Sequence, residues 1–240
     1  MAPDEEDGQG RCAVTSGSPP SFRSVYENQN DILAAILAMH CPEGFDADLT
    51  YGNGSFWKNH TRPRLCFDVT PLHEGVVQAT SCALPCEAQS LQNVVFDPPF
   101  LCYVDGGRKN ASSDGRKAVM SGRFGGYWTY GQLTEHYTGT LDECNRVLRK
   151  GGKLVVKCQD IIHNHKLHCT HANVILWANE RGFRLRDLFV LVAKSRMPLR
   201  AAKHGRQTQR HARVWHSYFL VLEKAGSSLA NKVLCESHED

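Results

Sequence analysis

A four-residue segment in the middle of the chain, Asp97-Pro98-Pro99-Phe100, combines hydrogen-bond acceptors with an aromatic ring. It directly follows the apolar run Val94-Val95-Phe96. Two consecutive prolines restrict the backbone and remove two N–H donors. The Asp97 carboxylate and the Pro98 carbonyl therefore remain as outward-facing acceptors beside the Phe100 ring. A structural turn can use Asp-Pro, but a rigid double proline with a flanking aromatic at the end of a strand is unusual for a plain turn and indicates a functional site.

A glycine turn and a single acid precede this segment. The turn is Asp48-Leu49-Thr50-Tyr51-Gly52-Asn53-Gly54, and its two glycines, one residue apart, let the backbone pass close to a ligand. Asp68 ends the next apolar stretch, and its two carboxylate oxygens match the vicinal hydroxyls of a ribose. A plain Gly-Asn-Gly turn and an exposed strand-end acid are the alternatives. The third glycine of a dinucleotide-binding fingerprint is missing, because Trp57 occupies its position.

The segments that must position these residues alternate between strand-like and helix-like patterns, which predicts a mainly parallel seven-stranded sheet with helices on both faces. Helices are predicted over Asn30–His40, Tyr130–Arg149 and Thr170–Arg181, and strands over Phe45–Leu49, Arg64–Asp68, Gly75–Thr80, Asn93–Phe96, Lys153–Lys157, Leu185–Ala193 and Val214–Glu223. The pair Gly151-Gly152 is expected to cap the second helix. The last two strands have no helix between them and are expected to form an antiparallel addition at one edge. The glycine turn and the Asp97 segment then lie at the carboxyl ends of the strands, where such sheets bind ligands.

Composition and length predict one folded domain. The chain has 240 residues, of which 41% are hydrophobic and 22% charged, so a fully disordered or fibrous protein is excluded. We expect flexible tails over residues 1–21 and 225–240 around a folded domain over residues 22–224. No apolar run approaches the roughly 20 residues that span a bilayer, and the start of the chain lacks the pattern of a secretory signal. We therefore expect an intracellular protein, cytoplasmic or nuclear, with reduced cysteines and no membrane partner.

Positive charge is concentrated in one segment. The net charge of the chain is only +3, but residues 181–213 contain eight Arg and two Lys against one acid, Asp187. Such asymmetry predicts a polyanionic partner, although a solvated face is the alternative. The candidate substrate-binding residues from this segment are Arg196, Arg200, Arg206, Arg210 and Arg213.

Together these motifs resemble those of the S-adenosylmethionine-dependent amino-methyltransferases of nucleic acids. The resemblance is carried by the glycine turn, Asp68 and the Asp97-Pro98-Pro99-Phe100 segment, and by residues 141–157, which look like the family's helix, Gly-Gly turn and fifth strand. It covers roughly residues 21–224. It implies an α/β class I methyltransferase (Rossmann-like) fold, S-adenosyl-L-methionine as cofactor, and a nucleic-acid substrate.

The resemblance also implies roles for individual residues. Asp97 and the Pro98 carbonyl would accept the two N–H bonds of an exocyclic amino group, with Pro99 holding the turn and Phe100 stacking on the base. The implied cofactor-binding residues are Asn28, Asp48, Thr50, Gly52, Gly54, Asp68 and Thr80. Thr80 stands where many members of the family have Asp, which predicts looser recognition of the cofactor's adenine. An ordinary helix cap is the alternative for Asn28.

Two further groups follow the fifth strand. Lys157, Gln159 and Asp160 face the same edge, and Gln159 is a candidate contact to the target base, with a plain strand-end role as the alternative. His163, His165, His168, Cys169 and His171 lie close together in the sequence, but their spacing matches no zinc site, so no metal is predicted.

The predicted activity is methylation of an exocyclic amino group in RNA or DNA, and N6 of adenine is the favoured target. The short stretch between the glycine turn and Asp97 leaves no room for an inserted recognition domain. Target choice therefore falls to two basic loops, predicted over residues 108–123 and 194–213, or to a partner subunit. Two alternatives stay open: a glutamine side-chain methyltransferase, and a degenerate subunit that supports an active partner.

Overall fold

The computed structural model describes residues 21–100, Cys102, residues 129–194 and residues 210–226. The tails predicted over residues 1–21 and 225–240 lie outside these ranges except for residues 21 and 225–226. Residues 106–128, whose polar, glycine-rich sequence predicts a loop, and the arginines Arg196, Arg200 and Arg206 also lie outside the described residues.

One mixed sheet organises the described residues. The strands, in chain order, are β1 (Val25–Tyr26), β2 (Ala47–Asp48), β3 (Leu65–Asp68), β4 (Val77–Gln78), β5 (Leu91–Phe96), β6 (Leu148–Cys158), β7 (Ile161–His163), β8 (Lys166–His168), β9 (Phe183–Val192) and β10 (His216–Lys224). Eight of them form a sheet in the order β1-β9-β10-β6-β5-β2-β3-β4, and β7 and β8 form a separate antiparallel hairpin. The predicted mainly parallel α/β sheet is confirmed, with eight strands rather than seven because β1 pairs with β9.

Helices cover both faces of this sheet. They are α1 (Gln29–His40), α2 (Tyr130–Val147) and α3 (Thr170–Glu180), and a short 3-10 helix spans Ser55–Trp57. Buried side chains of α1 pack with Val95 and Val155 on one face, whereas those of α2 and α3 pack with Val94 and Phe96 on the other. Successive residues of β5 thus enter different cores, as the two-residue period of a strand requires. No helix in the described ranges has the length and hydropathy needed to cross a bilayer.

The prediction that the last two strands form an antiparallel addition at one edge is confirmed in part, since β9 and β10 are antiparallel to each other and, of the described strands, the two-residue β1 alone lies beyond them. β10 lies between β6 and β9 and is antiparallel to both. Its central residues 219–222 are fully buried, so the strand is apolar on both faces and can occupy an interior position. β9, the earlier strand of the pair, lies outside it.

The prediction that Gly151-Gly152 caps the second helix is wrong. α2 ends at Val147, and the glycines lie inside β6, where the pairing with β5 shifts between Leu91 and Asn93. Gly151 has φ +75°, and a Cβ at Gly152 would lie 2.8 Å from the Gln92 carbonyl oxygen. The pair therefore allows an irregular stretch of β6 to lie against the backbone of β5.

This close approach gives a stability prediction. Gly152→Ala is expected to lower the free energy of unfolding by about 1–3 kcal/mol, because the added methyl must displace backbone. Gly226→Ala is the matched control, since a Cβ there meets no atom within 4 Å. Urea denaturation of both variants measures the difference, and equal stabilities would contradict the assigned contact.

Candidate active site

Strand register brings three chemically distinct segments to one edge of the sheet. Asp48 of β2 pairs with Val95 of β5, and Val95 and Phe96 pair in turn with Val155 and Val156 of β6. The chain leaves these parallel strands at the glycine turn, at Asp97 and near Lys157. A cavity of about 370 Å³ lies there, and it is lined by Thr50, Tyr51, Gly52, Asn53, Ser55, Phe56, Asp68, Val69, Thr70, Leu72, residues 97–100, His136 and Lys157.

The glycine turn needs both of its glycines. Gly52 has φ +57° and Gly54 φ +71°, in the left-handed region where side chains are strained. A Cβ on Gly54 would also lie 2.8 Å from the Tyr51 hydroxyl. The Arg62 guanidinium stacks over the Tyr51 ring at 4.7 Å and covers it. The turn is therefore a tight backbone wall of the cavity.

Asp68 connects the turn to β3 and keeps capacity for a ligand. Its Oδ2 accepts the Gly52 N–H at 2.8 Å, and its Oδ1 accepts the Thr70 N–H at 2.7 Å. Each carboxylate oxygen has two lone pairs, so each can accept one more hydrogen bond. The side chain lines the cavity, and its contact with ribose hydroxyls stays a prediction.

Asp48 lies beneath the turn and supports it. It is 1% exposed, and it accepts hydrogen bonds from the Thr50 N–H at 2.9 Å and the Trp57 indole N–H at 2.6 Å. Desolvation by burial raises the pKa of this carboxyl to about 7, although both hydrogen bonds oppose the rise. The contact between Asp48 and the cofactor stays a prediction, because the structure uses this side chain to fix the turn.

Two other predicted cofactor residues are not among those that line the cavity. Thr80 is exposed, accepts the Cys82 N–H at 3.3 Å and lines a separate surface depression beside Glu143 and Arg146. Asn28 is the N-cap of α1 and accepts the Asn30 N–H at 3.0 Å, which confirms the helix-cap alternative. Neither side chain lines the cavity that Gly52 and Asp68 share.

Asp97 is tied both to the glycine turn and to β6. Its backbone N–H donates to the Thr50 hydroxyl at 2.9 Å, and its Oδ2 accepts from the Lys157 ammonium at 3.1 Å. Lys157 also donates to the Gln29 side-chain oxygen at 2.9 Å. Among the described residues, no donor is within hydrogen-bond distance of Asp97 Oδ1. Pro98, Pro99 and Phe100 complete this part of the cavity.

His136 is a cavity residue that the sequence did not reveal. Its ring meets Phe96 edge-on at 5.4 Å between centroids, and its Nε2 lies 2.7 Å from the Ser81 hydroxyl. Burial lowers the pKa of this imidazole, which favours the neutral form. His136 lies on α2 with no motif around it, so only the packing of α2 against β5 brings it to the cavity.

The residues after β6 form a polar network at the same edge. Gln159 is 6% exposed and donates to the His216 carbonyl oxygen at 2.7 Å, which favours its strand-end role. Asp160 lies 2.7 Å from His171 Nδ1, and His171 stacks on Tyr218 with centroids 4.0 Å apart. The network ties the end of β6 to the start of α3 and to β10.

The charged and metal-ligating candidates are only partly described. Arg210 is exposed, and Arg213 places its guanidinium 5.6 Å from the centroid of the Trp215 ring. Within the described ranges, no group of three or more His, Cys, Asp or Glu could hold a metal ion. His168 instead stacks on Tyr130 with centroids 3.8 Å apart.

Comparisons with known proteins give structural likenesses only. No protein-family model and no curated protein matches the chain. The chain is similar to a Thermus thermophilus protein that is inferred to be a DNA modification methylase, in complex with S-adenosyl-L-methionine. The sequence identity is 17% and the TM-score is 0.38. The match covers 60% of this chain and 49% of that chain. This chain thus spans about half the length of that methylase.

Two other solved structures cover more of the chain. A Burkholderia thailandensis 1,6-didemethyltoxoflavin-N1-methyltransferase with bound S-adenosylhomocysteine is 13% identical, covering 83% of this chain and 80% of its own, with a TM-score of 0.45. A protein inferred to be a methyltransferase, in complex with the Haloferax volcanii methyltransferase activator, is 13% identical, with a TM-score of 0.48. That match covers 81% of this chain and 88% of the other chain. All three TM-scores lie below 0.5, so the function must be inferred from the residues of this chain alone.

The raised pKa of Asp48 predicts a pH-dependent stability. A folded-state pKa of about 7, above the ordinary 3.8, means that the native state holds a proton that the unfolded chain releases. The free energy of unfolding should therefore fall as pH rises from about 4 to 7, by at most about 1.4 kcal/mol per pH unit from this group.

Asp48→Asn removes this ionisation and should flatten that part of the curve. Urea denaturation of both proteins between pH 5 and 8 compares the slopes, whatever the substitution does to absolute stability. Parallel curves would contradict the assigned pKa.

Proposed function

We propose that the chain is a class I methyltransferase that uses S-adenosyl-L-methionine to methylate an exocyclic amino group of a nucleic-acid base. N6 of adenine is the favoured target. The observation that carries the proposal is the hydrogen bond from the Asp97 N–H to the Thr50 hydroxyl, 2.9 Å long. It joins the acceptor corner, Asp97-Pro98-Pro99-Phe100, to the glycine turn, so that both walls belong to one cavity.

The cavity suits the cofactor in size and in chemistry. Its volume of about 370 Å³ is within the roughly 300–1,000 Å³ of small-molecule sites. Asp68 has one free acceptor position on each oxygen for the ribose hydroxyls, and Gly52 and Gly54 let the backbone approach the ligand closely. When bound, S-adenosyl-L-methionine supplies an electrophilic methyl group.

The acceptor corner suits a weakly nucleophilic amino group. The lone pair of an exocyclic amino nitrogen is delocalised into its ring. Asp97 and the Pro98 carbonyl can accept its two N–H bonds, which favours the pyramidal form that attacks the methyl carbon. In the transfer a nitrogen–carbon bond forms, the carbon–sulfur bond breaks with its electron pair on sulfur, and one nitrogen proton leaves through Asp97 to solvent.

A nucleic-acid substrate is supported by the charges on the same side of the sheet. Arg210 and Arg213 precede β10, whose first residue, His216, contacts Gln159 at the end of β6. They belong to the basic segment over residues 181–213, which can neutralise phosphates. Phe100 lines the cavity and can stack on an extruded base.

Substitution of Asp97 tests the assignment. Asp97→Ala is expected to lower methyl transfer by at least about 100-fold, because a preorganised partner of the developing charge is lost. Asp97→Asn keeps one acceptor oxygen and should retain more activity. Both variants should still bind S-adenosylhomocysteine in calorimetry, which separates catalysis from folding.

The assay uses tritiated cofactor with RNA, DNA and protein extract, followed by nucleoside mass spectrometry. N6-methyladenosine or its deoxy form supports the proposal. Label found only in protein would favour the glutamine side-chain alternative, and full activity in Asp97→Ala would exclude the proposed chemistry.

The phosphate contacts predict a change in salt dependence. Changing Arg210 and Arg213 together to Ala should weaken binding at every sequence and reduce the slope of log K against log salt by about 2, one for each phosphate contact. Arg149 and Lys150, exposed residues at the start of β6 and thus at the other edge of the sheet, provide the control pair. If the slope of log K against log salt fell in the Arg149 and Lys150 control but not in the Arg210 and Arg213 variant, the substrate would bind at a different surface.

A further inference from the structure

We propose that Lys157 changes its anionic partner during the catalytic cycle: it holds Asp97 before the cofactor binds and moves to the cofactor's carboxylate afterwards. Asp97 is then released to accept the amino group only when the methyl donor is present. This inference rests on the proposed function and adds a binding role and an order of events that the acceptor motif does not contain.

The position of Lys157 is defined by four contacts. Its ammonium lies 3.1 Å from Asp97 Oδ2 and 2.9 Å from Gln29 Oε1. It also lies 5.6 Å from the ring centroids of Phe56 and of Phe219. Gln29 and the two rings are uncharged, so Asp97 is the anion that Lys157 contacts.

This ion pair conflicts with the chemistry proposed for Asp97. Methyl transfer moves positive charge onto the nitrogen that Asp97 holds. A carboxylate that already neutralises an ammonium stabilises a second cation less, and the two cations repel each other across it. Catalysis therefore favours an arrangement in which Lys157 has a different anion.

Among the described residues, the cavity has one cation suited to a carboxylate ligand. The described residues that line the cavity include a single basic side chain, Lys157, and two acidic ones, Asp68 and Asp97. Gln29, which also holds the ammonium, is the first residue of α1, and the positive end of a helix dipole favours an anion nearby. An amino-acid carboxylate entering the cavity would thus find Lys157 at the edge where α1 begins.

Calorimetry with two ligands tests the carboxylate contact. S-adenosylhomocysteine has the carboxylate, and 5′-methylthioadenosine has the adenosine and thioether without it. Lys157→Met should weaken the first at least about tenfold, as expected for loss of a hydrogen bond to a charged group, and leave the second unchanged. Lys157→Arg should restore most of the loss.

Lys153→Met is the matched control, because Lys153 lies on the same strand and pairs with Glu223 at 2.7 Å outside the cavity. An equal change for both ligands in Lys157→Met, or no change for either, would overturn the contact. If the unmodified protein binds neither ligand, the proposed function fails and this inference fails with it.

Coupling between the ligands tests the exchange of partners. Adenine-containing RNA and DNA oligonucleotides are titrated with and without S-adenosylhomocysteine. In the unmodified protein the cofactor product should strengthen oligonucleotide binding about fivefold or more, the lower end of common coupling free energies. In Lys157→Met, Asp97 is free from the start and the ratio should approach one.

Oligonucleotides in which unsubstituted purine, the base without a 6-amino group, replaces adenine should show no coupling. A cofactor-bound protein that binds adenine oligonucleotides no more tightly than the free protein would overturn the exchange while leaving the proposed methyltransferase activity intact.

Discussion

The hydrogen bond from the Asp97 N–H to the Thr50 hydroxyl is the constraint on which the site depends. Pro98 and Pro99 have no N–H to donate, so Asp97 is the last residue before them whose backbone can be anchored in this way. The anchor is a side chain of the glycine turn. Because that turn is itself fixed by Asp48 and Asp68, a ligand held by one wall of the cavity has a defined position relative to the other.

The burial of the Asp48 carboxyl group beneath the glycine turn is unfavourable in free energy. A carboxyl group that is 1% exposed is unfavourable when ionised, and its raised pKa expresses that cost. The two N–H groups of Thr50 and Trp57 offset part of it. Through these two hydrogen bonds Asp48 links the glycine turn at Thr50 to the 3-10 helix at Trp57, while Asp68 holds Gly52.

The sequence predicts the local parts of this site better than their long-range partners. The positions of Gly52, Asp68 and Asp97 at strand ends could be predicted, because each follows an apolar run and parallel strands end at one edge. The position of Thr80 outside the lining of the cavity could not be predicted, since it depends on the path of the chain after β4. His136 could not be found either, because α2 has no local pattern that distinguishes the turn facing Phe96.

The position of β10 beside β6 has a direct bearing on the chemistry. In the structure, Phe219 of β10 pairs with Lys157 of β6, and its ring lies beside the ammonium. Had β10 formed the edge of the sheet, β9 would have been the neighbour of β6, and Lys157 would have lacked this aromatic surface. The antiparallel strand between β6 and β9 therefore does more than complete the core: together with Phe56 it borders the Lys157 ammonium, which lies between Gln29 and Asp97. A cation held in that space can reach either the acceptor corner or the start of α1, and the proposed exchange of partners needs no movement of the backbone.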